Sequence, residues 1–455
     1  MILTATKFSL IASLNPHPTT FLPMKIPGTI LLVLLVVAVA IVAAGCMELS
    51  GKNPSGAPDA LAVPMSAERN ASAEKLMIDA NNRFAFDLYS NLSRSPDNTG
   101  RNLFFSPYSI SSAFAITYEG ARGKTADEIR SVFYFPENAT DRRLGYAGIY
   151  DNLNHANTSY TLRSANALWT DRSYPFLPAY ISTAEQNYGA TATSLDLLSH
   201  PEESRLKINR QVAGVTGDRI NNILPEDSLD SDTALVLTSA IYFKGAWETP
   251  FSRDATTEQV FRVSPNTTTR VPMMQQMDGE AELPYMVTAT FQALEFPYES
   301  SGGKNLSMLV ILPKNDNLTA VEDALDLQQI ARIRQSLKSH EVKVSFPKFS
   351  LESTYELPET LSAMGMPAVF GKEADLSGMD GGHFLGKGLQ IDRAIHSAFI
   401  DVNEEGTEAS AATAFVGTFS PSPVFRADHP FVFLIEDMDS GNILFMGRVV
   451  DPSAE

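Results

Sequence analysis

Between the apolar runs around Ile400 and Phe431 lies a stretch, residues 403–423 (NEEGTEASAATAFVGTFSPSP), that is compatible with a β-strand yet built mostly of small residues. Drawn out as a strand, Thr407, Ala409, Ala411, Thr413 and Phe415 face one side and Glu408, Ser410, Ala412 and Ala414 the other, because successive side chains alternate. The first face is small and uncharged, and no proline occurs before Pro421 and Pro423. A strand that must slide between two existing strands needs such a face, since a bulky or charged side chain resists burial and a proline removes a ladder hydrogen bond. The composition also fits a flexible surface loop or a short Ala-rich helix, so the surroundings decide.

Those surroundings are a single long domain. From Ala73 onward there is no second break rich in Pro, Gly and Ser and no internal repeat, which leaves one domain of roughly 380 residues. Leu76, Ala80, Phe84, Leu88 and Leu92 recur at helical spacing, and a second helix is predicted after Pro107 through Ile110, Ala113, Phe114 and Thr117. Residues 234–243, 307–312, 341–346 and 431–435 read as strands, two of them without alternation and therefore buried on both faces. Helices and strands interleave without a regular strand-helix-strand beat, so a mixed α+β fold is expected rather than a doubly wound or barrel enzyme.

Several function classes are excluded early. A formal net charge of -18 disfavours binding to nucleic acid or to an anionic membrane through a basic patch. One cysteine gives neither a disulfide framework nor a Cys-based zinc site. There is no Gly-x-Ser-x-Gly elbow or His-Glu-x-x-His helix, and the 7 histidines do not cluster at ligand spacing, so no hydrolase, metal or cofactor is expected.

The lone cysteine ends a leader. Residues 26–44 are uncharged and rich in Leu, Val, Ile and Ala, follow Lys25, and run into Ala43, Ala44, Gly45 and Cys46. This resembles the lipobox of exported lipoproteins, with Cys46 lipidated as the mature N-terminus; the alternative is an uncleaved anchor, since about 19 apolar residues span a bilayer. Either way the domain lies on the extracellular side of the membrane, or is secreted. Met24 followed by Lys25 looks like a normal signal start, so residues 1–46 form the leader with the true initiator at Met24. Residues 47–75 are expected as a flexible tether and residues 76–453 as the domain. Seven Asn-x-Ser/Thr sequons, including Asn91, Asn266 and Asn317, agree with export.

Against this background the chain resembles the serpins, in order from about residue 76 to Pro452. The likeness rests on NLFFSPYSI (102–110), ARGKT (121–125), NALW (166–169), FKGAW (243–247), VPMM (271–274), DLSG (375–378), Ile395 with His396, NEEGTEA (403–409), HPFVF (429–433) and FMG (445–447). The resemblance implies three β-sheets, eight to nine helices and an exposed reactive-centre loop at about 404–426. Ser106, Ser109 and His396 would form the shutter that lets strands part, and Trp247 would lie in the breach where the loop first inserts. Glu404, Glu405, Gly406, Thr407, Glu408, Ala409, Ser410, Ala411, Ala412 and Thr413 would be the hinge. Two positions depart from the family pattern: Ser239 where Asn is common, and Asp218 where Gly is common before Arg219 and Ile220.

The function implied is inhibition of a serine endopeptidase, with no catalytic residue of its own. The loop is cut, and its insertion into the central sheet traps the acyl-enzyme as a covalent complex. Family spacing puts the scissile bond at Ser420-Pro421, but a proline after the bond is poor for most serine proteases. The loop is also about one residue short, which favours Phe419-Ser420 and chymotrypsin-like or subtilisin-like targets. A monomer of the exported, membrane-anchored prokaryotic type is expected. The alternative is a non-inhibitory serpin acting as carrier, chaperone or surface interaction protein, against which the small-residue hinge argues.

Overall fold

The computed structural model describes residues 67–154, 160–276, 282–300, 305–382, 388–405 and 422–454. Among them are ten α-helices and sixteen strands in three sheets, a mixed α+β architecture. The helices are α1 (Ala67–Arg94), α2 (Pro107–Gly120), α3 (Gly123–Phe133), α4 (Ala139–Asn154), α5 (Pro178–Tyr188), α6 (Pro201–Thr216), α7 (Leu318–Asp323), α8 (Leu327–Ser336), α9 (Leu357–Ala363) and α10 (Ser377–Asp380). The count exceeds the eight or nine expected because α7, α9 and α10 are only 6, 7 and 4 residues long, too short to leave a helical period in the sequence.

The central sheet has five strands in the order β12 (Phe349–Glu356), β13 (Arg393–Val402), β4 (Leu235–Gly245), β2 (Tyr160–Asp171) and β3 (Thr191–Leu195). A seven-stranded sheet runs β1 (Leu103–Phe105), β16 (Ile443–Val449), β15 (Phe431–Asp437), β9 (Leu306–Pro313), β8 (Phe291–Pro297), β7 (Glu282–Val287) and β10 (Lys338–Glu341). The third sheet is β14 (Val424–Arg426), β11 (Lys343–Pro347), β6 (Thr267–Gln276) and β5 (Thr257–Ser264).

β4, β9 and β15 are the apolar runs 234–243, 307–312 and 431–435, and each is buried along nearly its whole length. In β4 the pleat divides the labour: Leu235, Leu237, Ile241 and Phe243 join the main core, while Val236 and Ala240 pack with Ile208 and Val212 of α6. The run 341–346, expected as one strand, is divided at Val342 between β10 of the seven-stranded sheet and β11 of the four-stranded one. Apolar alternation is blind to such a change of partner. Gly447, within the expected C-terminal signature, sits where a Cβ would lie 2.4 Å from the Leu103 carbonyl oxygen, so β16 and β1 meet closely only with glycine there.

Two local readings change, and one departure finds its explanation. Helix α1 starts at Ala67, inside the segment expected as tether, because its Ala, Glu and Arg residues are strong helix formers as well as spacer residues. Its buried stripe runs through Met77, Ala80, Phe84, Leu88 and Leu92, and Leu76 lies at the margin, 44% exposed. Asp218, the departure from glycine, has φ +60, a left-handed conformation that glycine adopts freely and that Asp tolerates through its short polar side chain.

Candidate functional site

The site grows from the middle of the five-stranded sheet. β13 and β4 run parallel, paired from Arg393↔Val236 to Ile400↔Phe243, and β4 pairs antiparallel with β2 on its other side. His396, Ser239 and Asn166 therefore fall in one row across three strands. Helix α2 points its N-terminus at that row. Ser106 is its N-cap, accepting at Oγ from the Ser109 N–H at 3.1 Å, and Pro107 occupies the first turn, where a missing N–H costs nothing.

The three residues of the row and the facing Ser106 and Ser109 are all buried and mutually satisfied. The Ser106 N–H donates to His396 Nε2 at 3.0 Å, so Nε2 carries no proton and Nδ1 does. Nδ1 lies 3.1 Å from both Ser239 Oγ and the Ser239 carbonyl oxygen. The Ser109 hydroxyl donates to Asn166 Oδ1 at 2.9 Å, so across its 2.9 Å contact with Ser239 it is the acceptor. Donation thus runs one way, from His396 through Ser239 and Ser109 to Asn166, and the Asn166 amide returns to the Ser109 carbonyl oxygen at 3.2 Å. Ser106 Oγ donates in turn to the Leu444 carbonyl oxygen at 2.6 Å, tying the cluster to β16. Burial drives the His396 pKa down to about 3, opposed only in part by the Ser239 carbonyl, so the ring is neutral.

The second half of the site is where β13 ends and the 403–423 stretch begins. The Asn403 carbonyl oxygen accepts from Trp247 Nε1 at 2.9 Å. That indole stacks on Tyr298 with ring centroids 4.5 Å apart. Glu404, only 7% exposed, accepts from Lys348 Nζ at 2.8 Å. Burial pushes its carboxyl up, but the hydrogen bonds from Lys348, a backbone amide and Thr256 outweigh it and hold the group below its usual range. Glu405 pairs with Arg253, and its N–H donates to Asn403 Oδ1 at 2.9 Å.

The structure therefore brings Ser106, Ser109 and His396 together beneath the β4/β13 pair, and sets Trp247, Glu404 and Glu405 at its upper end. Gly406, Thr407, Glu408, Ala409, Ser410, Ala411, Ala412 and Thr413 lie outside the described residues, as do Phe419, Ser420, Pro421 and Cys46. The chain re-enters at Ser422 and forms β14. Roles for Asn166, Lys348 and Arg253 were not foreseen. Asn166 was visible inside the NALW block, and Ser239 was noted only as a departure, yet its hydroxyl links Ser109 to His396.

Comparison with known proteins places this geometry. The family model described as Serpin (serine protease inhibitor) matches residues 79–452. A serpin-like protein of Methanosarcina acetivorans is 39% identical over 384 residues, covering 83% of this chain and 88% of that protein. The leukocyte elastase inhibitor of Bos taurus is 39% identical over 383 residues, covering 82% and 98%. Among solved structures, uncleaved ovalbumin matches with a TM-score of 0.74 at 29% identity, covering 82% of this chain and 100% of that one. Human thyroxine-binding globulin complexed with its hormone matches with a TM-score of 0.73 at 29% identity, covering 84% and 100%.

Proposed function

The chain belongs to the serpin family, and on that footing we propose that it inhibits serine endopeptidases as a suicide substrate. The protease's own nucleophile attacks the Phe419 carbonyl; the bond to Ser420 breaks, the Ser420 amine leaves with the C-terminal peptide, and Phe419 stays bound as an acyl-enzyme. The freed loop then folds back from the end of β13, parts β13 from β4 and enters between them. A strand entering there runs antiparallel to both neighbours, so one parallel ladder is exchanged for two antiparallel ones, which pair slightly better per residue. The protease is carried along and distorted before water completes deacylation.

The observation that supports this reading is the continuity of β13 with residues 403–405, after which the sequence runs straight into the small-residue, proline-free stretch 406–420. Opening that seam breaks the row of His396, Ser239 and Asn166, and the Trp247, Lys348 and Arg253 contacts hold the hinge until it does. The family also contains non-inhibitory members such as ovalbumin and thyroxine-binding globulin, and the name of the Bos taurus relative, an elastase inhibitor, favours the inhibitory class. Mixing the purified domain with chymotrypsin and with subtilisin decides between them on a denaturing gel. An adduct that survives detergent supports inhibition, with a released peptide beginning at Ser420; clean nicking without adduct moves the chain to the carrier or chaperone class.

The leader supports a place for the reaction. Among the described residues no helix is long and apolar enough to cross a membrane, and the apolar run 26–44 with Cys46 is the candidate anchor. A monomer held outside the cell by lipid on Cys46, or by that run left uncleaved, would meet soluble proteases. Cys46→Ser abolishes incorporation of labelled fatty acid if lipidation is the route.

A further inference from the structure

At the far end of the loop the chain is held by little backbone pairing. β14 is three residues long and pairs with β11 over Lys343↔Val424, Val344↔Phe425 and Ser345↔Arg426. Beyond it the Ala427 N–H donates to the Ser345 carbonyl oxygen at 2.9 Å, and the Asp428 carbonyl oxygen accepts from the Arg262 N–H of β5 at 2.8 Å. The next residue is His429, 7% exposed. Its Nε2 lies 2.6 Å from the Pro313 carbonyl oxygen at the end of β9, and its Nδ1 lies 2.9 Å from Asp428 Oδ1. A carbonyl and a carboxylate are both acceptors, whereas a neutral imidazole has a single N–H. Both contacts are hydrogen bonds only if the ring carries two protons.

We propose that His429, as an imidazolium, is a clasp that fastens the distal end of the loop to the body of the protein, and that loss of one proton releases it. The charges facing the ring come from three elements besides its own loop. Asp316, after β9, has Oδ1 3.8 Å from Nε2. Arg262 of β5 reaches Asp316 at 2.9 Å and Asp428 at 3.7 Å. Arg426 of β14 holds the other Asp428 oxygen at 3.0 Å. Burial works against the ring's charge, but Asp428, the Pro313 carbonyl and Asp316 outweigh it and raise its pKa. A raised folded pKa gives stabilisation that is complete below about 6.5 and fades as pH climbs through the folded value. Once one proton leaves, a ring lone pair faces either Pro313 or Asp428, and the tie to β9 or to the end of β14 is lost.

The consequence for activity rests on the inhibitory reading. A released β14 lets the intact loop slip into the β4/β13 seam uncut, so inhibitory capacity decays faster in alkali. The test uses the full chain, His429→Gln and His429→Arg, each at about pH 6 and about pH 9. Hydrogen exchange of the 424–429 amides, corrected for intrinsic rates, is expected to rise in the wild type by about tenfold for each unit by which the folded pKa exceeds the unfolded one. The Gln variant should be fast at both pH values and the Arg variant, which keeps the charge and two donors, slow at both. Identical profiles for wild type and the Gln variant overturn the clasp. Adduct formation with chymotrypsin after each incubation is the second readout, and its loss should follow the exchange. A preparation that traps no protease at either pH refutes the inhibitory reading and leaves the exchange result to decide the clasp.

Discussion

His396 is the residue on which most of the buried polar row turns, since it takes a proton bond from Ser106 and gives one toward Ser239. A second proton would place an N–H against the Ser106 N–H, which is why burial and geometry agree on a neutral ring with a pKa near 3. A depressed folded pKa contributes stability that is present above about 6.5, the unfolded value, and is lost as pH falls toward the folded one. Urea unfolding of the intact protein should therefore show a loss on the order of a few kcal/mol between about pH 6.5 and about pH 4 that is absent in His396→Gln, whose amide can still accept and donate. Equal pH profiles would remove His396 from the account. Ser109→Ala, which strips Asn166 and Ser239 of a partner, should cost about 1–3 kcal/mol in the same assay at neutral pH. Single residues were unevenly legible beforehand. Ser106, Ser109 and His396 stand in recognisable blocks, but the contacts that Asn166 and Ser239 complete join positions 57 and 130 residues apart, a relation no local pattern carries.

Among the elements, β4, β9 and β15 announced themselves as uninterrupted apolar runs, and α2 by Ser106 and Pro107 at its start. The division of 341–346 between two sheets did not, because only Glu341 of that run falls in β10, and the alternation of Val342, Val344 and Phe346 carries on across the change of sheet. Lys348 escaped notice for a related reason: nothing in its own neighbourhood marks it, and its partner Glu404 comes from a separate part of the chain. The hinge element carries its own test. With Thr407 at the start of the small face, Thr407→Arg should leave cleavage by chymotrypsin intact while reducing the share of encounters that end in an adduct, because a guanidinium must be buried for the strand to enter. An unchanged ratio of adduct to nicked chain would mean that this face does not enter the sheet. Only 2 tryptophans occur, so Trp169→Phe isolates Trp247, whose bond to the Asn403 carbonyl should make its emission shift when the hinge moves.

For the whole molecule, the central sheet as described has five strands with β13 and β4 as direct neighbours, and the same sequence supplies the candidate for a sixth. Cleavage in the loop should then raise the melting temperature by ~10 °C or more, as an additional strand closes two antiparallel ladders. A scan unchanged after cleavage would argue that no insertion follows. On the inhibitory reading the seam would accept a strand by backbone pairing and small side chains, neither of which identifies the chain that supplies it. A molecule's own loop prevails because tethering gives it an effective concentration in the millimolar range, far above that of free neighbours. That advantage shrinks as the protein is crowded or warmed, and a neighbour's loop docking head-to-tail leaves an unfilled seam at one end and a free loop at the other, so growth has no natural stop. The risk of such misassembly is thus set by dose and temperature, and a cell that makes this protein has reason to limit how much of it stands idle in one place.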